Sequence, residues 1–321
     1  MKFIAYLIYI PLQIIWLPLS VIGVIMVGYG QLVVSKKLGV SQTAVEIING
    51  RWAMDVFGLR RDGAARSLAA KIPNNSVGGL WLTFFPLWLV SRTLGVQLLY
   101  PTLPKPEKAA IANLVPSRTI VFDEIIEANV AGAAQFVVLG AGLDTRAYGT
   151  LKLSNIAFYE LDQVADQAHK REHLAAAQID SSHIRFVTAD FADRNWINSL
   201  LATDYDPAKK TIFLWEGVTL YLSEQAVRAT LTALIESAAT GSVIVADIYA
   251  ERLVKLTKSK AVSWSLELTD EEMEFGLDYS TDAEERLGQF VVSQGLRLGR
   301  NQFLGGNHEK GPFAAIVEMV I

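Results

Sequence analysis

The sequence contains no cysteine among its 321 residues. This absence excludes disulfide bridges, thiolate metal ligands and catalysis by a thiol. Histidine is almost as scarce, and the four histidines, His169, His173, His183 and His308, are not spaced as a metal-binding motif. We therefore predict no metal site. Only 19% of the residues are charged while 51% are hydrophobic, which leaves apolar surface to face lipid.

A surplus of positive charge is also missing. The net charge is −4 at pH 7 and the isoelectric point is near 5.7. The sequence contains no basic stretch with interleaved aromatic residues. Because recognition of nucleic acid depends on such positive charge, we predict no nucleic-acid partner.

The N-terminal segment lacks charge over an unusual length. Residues 3–35 contain no Asp, Glu, Lys or Arg, whereas about 20 apolar residues suffice for a helix to cross a bilayer. Residues 1–35 are therefore predicted to form a retained membrane anchor. Pro11 and Pro18 lie within it, and because proline bends a helix, a kinked span and a re-entrant hairpin are both open.

Positive charge follows this segment directly. Lys2 alone precedes it, whereas the next stretch carries Lys36, Lys37, Arg51, Arg60, Arg61, Arg66 and Lys71. Loops rich in lysine and arginine stay on the cytoplasmic side of membranes. The sequence thus predicts a membrane protein whose remaining chain lies in the cytoplasm.

A second apolar stretch, VGGLWLTFFPLWLV, covers residues 77–90. It is short for a span and contains Pro86. Trp81, Trp88 and Tyr100 are of the types that favour the headgroup region. We predict an interfacial or re-entrant segment rather than a second span, with a buried helix of a soluble domain as the alternative.

A change of pattern marks a domain boundary near residue 108. The stretch YPTLPKPEK, residues 100–108, has three prolines and is typical of a linker. We predict a membrane-associated helical segment and linker over residues 36–108 and a further domain over 109–321. In that domain short β-branched runs alternate with helical stretches: AQFVVLG, NIAFYEL, IRFVTAD, TIFLWEG and SVIVADI.

This alternation predicts an α/β fold with a doubly wound, mostly parallel sheet. Two last runs, RLGRNQFLGG and FAAIVEMVI, predict an antiparallel edge pair.

The first of these strands ends in a glycine turn, Gly140-Ala-Gly142. Glycine lets the backbone approach a ligand closely. A dinucleotide fingerprint would place a third glycine where Thr145 stands, so it fails there. Asp162 follows Gly142 by 20 residues, but a ribose-binding acid at this distance suits dinucleotides and S-adenosylmethionine alike.

Acidic residues follow each of the five predicted parallel strands: Asp144, Asp162, Asp190, Glu216 and Asp247. Open α/β sheets bind ligands at the carboxyl ends of their strands. A row of carboxylates there favours a cationic ligand. S-adenosyl-L-methionine, which carries a sulfonium, therefore fits this edge better than a dinucleotide does.

Five stretches in this order resemble the leucine carboxyl methyltransferase family: PSRTIVFDEII, VVLGAGLDTRAY, FYELDQ, VTADFAD and LWEGVTLYLSEQAV. The resemblance covers roughly residues 112–321. It implies a class I methyltransferase with a Rossmann-like sheet, which transfers the methyl group of S-adenosyl-L-methionine to a carboxyl oxygen. Residues 1–100 have no counterpart in that family's pattern.

The resemblance also implies roles for individual residues. Arg118 would pair with the methionyl carboxylate of the cofactor, and Gly140 would lie against the cofactor. Asp162 would accept hydrogen bonds from the ribose. The remaining positions of the cofactor-binding set are Gly142, Asp144, Asp190, Phe191 and Glu216, of which Asp190 and Phe191 would frame the adenine and Glu216 would lie near the reacting centre.

The catalytic groups are not identified by the sequence. A carboxylate acceptor is ionised at pH 7 and needs no general base, whereas a hydroxyl acceptor does. His308 and Tyr221 are the weak candidates. The membrane segment predicts a lipophilic small-molecule acceptor. An NAD(P)-dependent membrane-bound oxidoreductase and a non-catalytic membrane-anchored binding module stay open as alternatives.

Overall fold

A computed structural model describes residues 1–149, 156–193, 195–257, 273–306 and 308–321. The chain divides into two compact units. The helical unit comprises Met1–Leu103, Gly142–Lys152 and Ala168–Ser181. The sheet unit comprises Pro104–Ala141, Leu153–Gln167 and Ser182–Ile321. The first change of unit along the chain falls between Leu103 and Pro104, and two later segments group with the N-terminal third.

Eleven α-helices occur in the described residues, and their bounds are α1 Lys2–Gly28, α2 Ser35–Leu38, α3 Gln42–Val56, α4 Gly63–Ala69, α5 Val77–Leu94, α6 Leu114–Asn129, α7 Val164–Ala176, α8 Ile197–Leu201, α9 Glu224–Glu236, α10 Glu251–Thr257 and α11 Ala283–Ser293. Polar caps begin several of them. Ser41 accepts a hydrogen bond from the Ala44 amide and Asp62 accepts one from the Ala65 amide, which satisfies amides that have no partner within the helix. The stretch 251–280, between the fifth and sixth predicted strands, is long enough in sequence for a helical cap over the site, and it lies partly outside the described residues.

The N-terminal segment is one continuous helical rod. Helix α1 runs through Pro11 and Pro18, a π-helical turn over Tyr29–Val34 follows, and α2 continues to Leu38. Each proline removes only one N–H donor from the helical ladder, and the remaining bonds maintain the helix. The re-entrant hairpin within residues 1–35 was therefore a wrong alternative.

Helix α5 covers the second apolar stretch and packs against α1. Ser76 caps its first turn and Gly95, at φ 65°, ends it in the left-handed conformation. Two helical stretches, Lys2–Leu38 and Val77–Leu94, are long and apolar enough to cross a membrane by length and composition, with mean hydropathies of 2.2 and 1.2. Buried core helices and signal sequences pass the same test, so membrane association stays a proposal.

The sheet unit contains seven strands at the seven predicted runs: β1 Gln135–Leu139, β2 Ala157–Asp162, β3 Ile184–Thr188, β4 Thr211–Trp215, β5 Val243–Tyr249, β6 Arg297–Leu304 and β7 Ala314–Val320. The order across the sheet is β3-β2-β1-β4-β5-β7-β6. The first five strands pair in parallel, and β7 lies antiparallel between β5 and β6. The α/β class, the parallel sheet and the antiparallel edge pair are confirmed.

The order of the strands determines where a ligand can bind. The chain moves outward from β1 to β3 and then returns to place β4 on the other side of β1. Every residue of β1, β4 and β5 is buried, as central strands of a parallel sheet are. Doubly wound sheets bind their ligands where the strand order reverses, and here the order reverses between β1 and β4.

Candidate cofactor-binding site

Four of the predicted acids lie in a row along the carboxyl edge of the sheet unit. Asp162 ends β2, Asp190 follows β3, Glu216 follows β4 and Asp247 lies within β5. The registers pair Leu139 with Leu161 and Trp215 with Ala246, so these acids lie at nearly the same level. Because strands are about 4.8 Å apart, the row spans adjacent positions on both sides of β1.

Gly140 begins the turn after β1 beside the end of β2. The amides of Gly140 and Ala141 both donate to the Leu161 carbonyl, at 2.9 and 3.0 Å. Gly140 has φ 69°, and a Cβ there would lie 2.4 Å from Cγ2 of Val218. The glycine is therefore required by its conformation and by the Val218 side chain that packs against it.

Replacing Gly140 with alanine is expected to destabilise the protein by roughly 1–3 kcal/mol more than Gly58→Ala does, since overpacking adds to backbone strain. Gly58 is the matched control because it has φ 73° with nothing within 4 Å of its would-be Cβ. Urea unfolding measures both. The double variant Gly140→Ala/Val218→Ala should recover the steric part, and a G140A cost equal to that of G58A would contradict the packing argument.

Arg118 projects from α6 into a buried cluster of polar groups. Its Nε donates to Glu216 Oε1 at 3.1 Å, and its Nη1 donates to Asp247 Oδ2 at 3.0 Å and to the Tyr249 hydroxyl. Burial opposes the charge of the guanidinium, but Tyr249, Glu216 and Asp247 outweigh it and raise the pKa of Arg118 above its usual value. Its Nη2 has no hydrogen-bond partner among the described residues, so one face of the guanidinium is available to a ligand carboxylate.

Asp247 connects this cluster to the turn after β4. It is fully buried. Its Oδ1 accepts from the Gly217 amide at 2.8 Å, its Oδ2 accepts from Arg118 and from the Tyr249 hydroxyl, and its carbonyl accepts from Thr219 Oγ1. Burial raises the pKa of Asp247, against the opposing effect of Arg118. The carboxylate thus fixes both the guanidinium and the Gly217 backbone, which directly precedes the Val218 that packs against Gly140.

One guanidinium and two carboxylates make this cluster formally negative by one charge. A Cβ at Gly217, which has φ 72°, would lie 3.3 Å from Arg118 Nη1, so glycine keeps the backbone close to the guanidinium. A ligand that carries both a carboxylate and a cationic group complements such a cluster. The zwitterionic methionyl end of S-adenosyl-L-methionine has these two groups, so the residues present fit that cofactor.

The other predicted positions of the sheet unit differ in accessibility. Asp162 is half-buried and Asp190 is exposed, and each accepts from a nearby amide, that of Gln163 and that of Ala192. Phe191 is buried and its ring contacts Trp196 edge to face at 5.0 Å.

Tyr221 is half-buried in a short 3₁₀ helix after β4, and His308 is exposed on a loop where its Nδ1 accepts from the Lys310 amide. Among the described residues, no hydrogen bond joins His308 to Tyr221. Among those residues no group of three or more His, Asp or Glu side chains is arranged to hold a metal ion.

The remaining two predicted residues, Gly142 and Asp144, belong to the helical unit. Asp144 lies between two arginines: its Oδ2 accepts from Arg51 at 2.8 Å and from Arg146 at 2.5 Å. Burial alone would raise its pKa, but Arg51 and Arg146 outweigh burial and hold the pKa well below its usual range. A Cβ on Gly142 would lie 3.4 Å from that of Ala44. The role of Gly142 and Asp144 in cofactor binding stays a prediction.

A second buried pair supports the same loop. Thr145 Oγ1 donates to Asp62 Oδ2 at 2.8 Å, and Asp62 also forms an ion pair with Arg60. In the sequence, Arg51 and Arg60 are recognisable only as part of a basic stretch. Tyr249 is not among the predicted site residues, although its two-residue spacing from Asp247 places both side chains on the same face of β5.

Part of the chain matches the sequence pattern of a known family. Residues 95–235 match the sequence pattern of the leucine carboxyl methyltransferase family. This range includes Arg118, Gly140, Asp162, Asp190 and Glu216.

Several bacterial proteins share sequence similarity with the chain. A Streptomyces avermitilis protein named "Putative S-adenosyl-L-methionine-dependent methyltransferase" is 32% identical over 148 residues, which are 44% of this chain and 52% of that protein. Relatives with the same description from Mycobacteroides abscessus and Streptomyces coelicolor are each 30% identical, covering 55% and 57% of this chain and 58% and 59% of their own length. The chain thus spans little more than half the length of these relatives.

Two solved structures are similar at the level of the fold. An O-methyltransferase family protein from Burkholderia thailandensis is 13% identical with a TM-score of 0.44, covering 64% of this chain and 57% of that one. A magnesium protoporphyrin IX methyltransferase from Synechocystis with bound S-adenosylhomocysteine is 15% identical with a TM-score of 0.41, covering 64% and 84%. At these TM-scores the likeness adds nothing to what the strand order shows. The predicted resemblance to the leucine carboxyl methyltransferase family is confirmed by the sequence match, and residues 95–235 carry that family's pattern.

Proposed function

We propose that the protein is a membrane-associated O-methyltransferase that uses S-adenosyl-L-methionine and methylates a carboxylate, or a hydroxyl, of a lipophilic small molecule. The observation that carries the cofactor assignment is the negatively charged Arg118–Glu216–Asp247 cluster beside the glycine turn, at the carboxyl edge of a doubly wound sheet. The family match and the relatives' descriptions support the same assignment.

The chain's own residues would bind and orient the cofactor. The free face of the Arg118 guanidinium would pair with the methionyl carboxylate, and Glu216 would balance the cationic end. Asp162, at the end of β2, would accept hydrogen bonds from the ribose, while Asp190 and Phe191 would frame the adenine. The cofactor when bound supplies an electrophilic methyl group for in-line displacement.

The acceptor needs positioning more than it needs a base. Holding two reactants at attack distance can lower the barrier by ~7–11 kcal/mol. A carboxylate acceptor is ionised at pH 7 and attacks without losing a proton. For a hydroxyl acceptor, His308 and Tyr221 remain the candidate bases, and His308 is accessible because it is exposed.

The membrane part of the proposal rests on the helical unit. Its two apolar helices would place the enzyme at a bilayer, where a lipophilic acceptor concentrates. The basic residues that follow α1 favour the cytoplasmic side, which is also where the cofactor is made available.

Calorimetric titration of the detergent-purified protein with S-adenosylhomocysteine tests the cofactor assignment. We expect binding, and we expect Asp162→Asn to weaken it by about 10–100-fold, since hydrogen bonds to a charged group are worth about 1.5–3 kcal/mol. Asp204→Asn is the matched control, because Asp204 is exposed and pairs with Arg185. NADH should not bind. Tight binding of NADH without binding of S-adenosylhomocysteine would favour the oxidoreductase alternative.

Transfer of radiolabelled methyl groups to a membrane extract tests the reaction. Mild alkali should release the label as volatile methanol if the product is a methyl ester. Label that resists alkali would mean an ether or N-methyl product and would overturn the carboxylate assignment. His308→Ala then decides whether this histidine serves as a base.

A further inference from the structure

The rod formed by α1 and α2 exposes an apolar face along its whole length. One narrow stripe is buried, at Ala5, Ser20 and Gly23, as expected for a helix packed on one side only. Large apolar side chains are exposed from one end of α1 to the other, with Phe3 74%, Ile15 78% and Ile25 64% accessible. An exposed apolar surface of this extent needs a partner.

The buried stripe packs against α5, which runs antiparallel to α1. Trp16 Nε1 donates to the Leu82 carbonyl at 2.8 Å. Further along, a Cβ on Gly23 would lie 2.5 Å from the Gly79 carbonyl oxygen, so the two backbones are in close contact. Small residues permit such approach between helices in an apolar environment.

The chain returns to the middle of helix α5 after that helix ends. After Gly95 the chain turns back, and the Tyr100 ring stacks on Phe84 at 5.4 Å. The helix extends only ten residues beyond Phe84, about 15 Å, which is half of the ~30 Å hydrocarbon core. Phe57, just after α3, contacts Phe84 edge to face at 6.5 Å. The middle of α5 is therefore held against α3 and against the segment that returns after Gly95.

The segment that returns after α5 also limits how deeply this part of the chain can enter a bilayer. Residues 96–100 follow an irregular path that is neither helix nor strand. Irregular backbone that faces lipid is not tolerated in the hydrocarbon region, because its polar groups have no partners there. The hairpin formed by α5 and residues 96–100 therefore suits the interface between headgroups and acyl chains.

The length of α1 also favours a position at the interface. Residues 3–35 form 33 uncharged positions, or about 50 Å of helix. Crossing a core of ~30 Å with all of them immersed would require a tilt beyond the usual range of up to about 40°. A helix that lies in the plane of the interface has no such length limit. The exposed basic residues Lys37, Arg61 and Lys71 suit anionic headgroups.

We propose that the helical unit is monotopic: α1 and α5 lie in a single leaflet, at the boundary between headgroups and acyl chains, and neither crosses the bilayer. This inference rests on the membrane association in the proposed function and names the mode of that association. It predicts that the N-terminus, the tip of α5 and the α4–α5 connection share one side of the membrane.

The absence of cysteine makes the test direct, because each single-cysteine variant carries one thiol. Lys2→Cys, Thr93→Cys and Lys71→Cys are placed at exposed positions at the N-terminus, near the end of α5 and between α4 and α5. Each is reacted with a membrane-impermeant maleimide in sealed vesicles of known orientation, and then again after detergent solubilisation to give the total reactive thiol.

The three variants should be labelled from the same side, with equal fractions accessible before solubilisation. Labelling of Lys2→Cys and Lys71→Cys from opposite sides would show that α1 crosses the bilayer and would overturn the proposal. Labelling of Thr93→Cys from the side opposite Lys71→Cys would show that α5 crosses. Protein that fails to sediment with the vesicles would overturn the proposal too. S-adenosylhomocysteine binding in the same preparations reports on the proposed enzyme separately.

Discussion

Replacing Arg118 with methionine is expected to lower the free energy of unfolding by about 3–5 kcal/mol, because it leaves buried carboxylates without their cation. Both Glu216 and Asp247 lose a hydrogen-bond donor, and Asp247 is fully buried. Methionine keeps much of the volume of the side chain, so the loss is electrostatic rather than a cavity effect. Urea unfolding at neutral pH measures the change.

Arg228→Met is the matched control for this prediction. Arg228 pairs with Glu224 on the surface of α9, where both side chains are exposed, and exposed pairs contribute at most about 1 kcal/mol. Equal losses for R118M and R228M would contradict the buried-charge argument. Glu216→Gln with Arg118 intact should cost less than R118M, because Asp247 keeps its partner.

Asp144→Asn is expected to have an effect of similar size, about 3–5 kcal/mol, because it leaves two arginines in a buried cluster without their shared carboxylate. Arg51 and Arg146 are both almost inaccessible to solvent. Asp204→Asn, at an exposed pair with Arg185, provides the control and should cost no more than about 1 kcal/mol.

The pH dependence of the Asp144 contribution has a defined sign. The folded-state pKa lies well below the usual value, so the stabilisation is complete above about pH 4, the ordinary pKa of an aspartate, and is lost as the pH falls below it. The stability difference between the wild type and D144N should therefore shrink in acid. A D144N variant of wild-type stability that no longer binds S-adenosylhomocysteine would instead favour the cofactor role that the sequence predicted for Asp144.

Local sequence patterns were sufficient to predict the sheet. Runs such as QFVVL in β1 and VIVADIY in β5 are rich in β-branched residues and entirely buried, which is what a central parallel strand requires. The antiparallel pair β6 and β7 was predictable for a similar reason, since its two runs have a short glycine-rich connection. Pro11 and Pro18 left open a kinked span or a re-entrant hairpin. Only the hairpin is wrong, because α1 continues through both prolines.

Contacts between distant residues were not predictable in this way. Arg118 is 98 residues from Glu216 and 129 from Asp247 in sequence, and Arg51 is 93 residues from Asp144. No local pattern identifies such partners, because the pairing depends on how the elements pack. The family resemblance predicts Arg118 as a site residue, but it gives no indication of the bonds that Arg118 makes to Asp247 and Tyr249.

The proline-rich stretch 100–108 predicts a single boundary, near residue 108. The contacts divide the chain after Leu103 and also group Gly142–Lys152 and Ala168–Ser181 with the N-terminal third. The sequence contains no compositional signal for this, since both segments are interior parts of the α/β pattern.

The ion pair between Arg51 and Asp144 attaches the stretch that follows the glycine turn to the N-terminal third, within the same helical unit. Residues Gly142 to Tyr148 follow the glycine turn directly and are held by α3 and by the cap of α4. Binding free energies are reciprocal under thermodynamic linkage. Anything that binds only the folded helical unit would therefore also stabilise this stretch, and a ligand bound by the stretch would strengthen that first binding by the same factor.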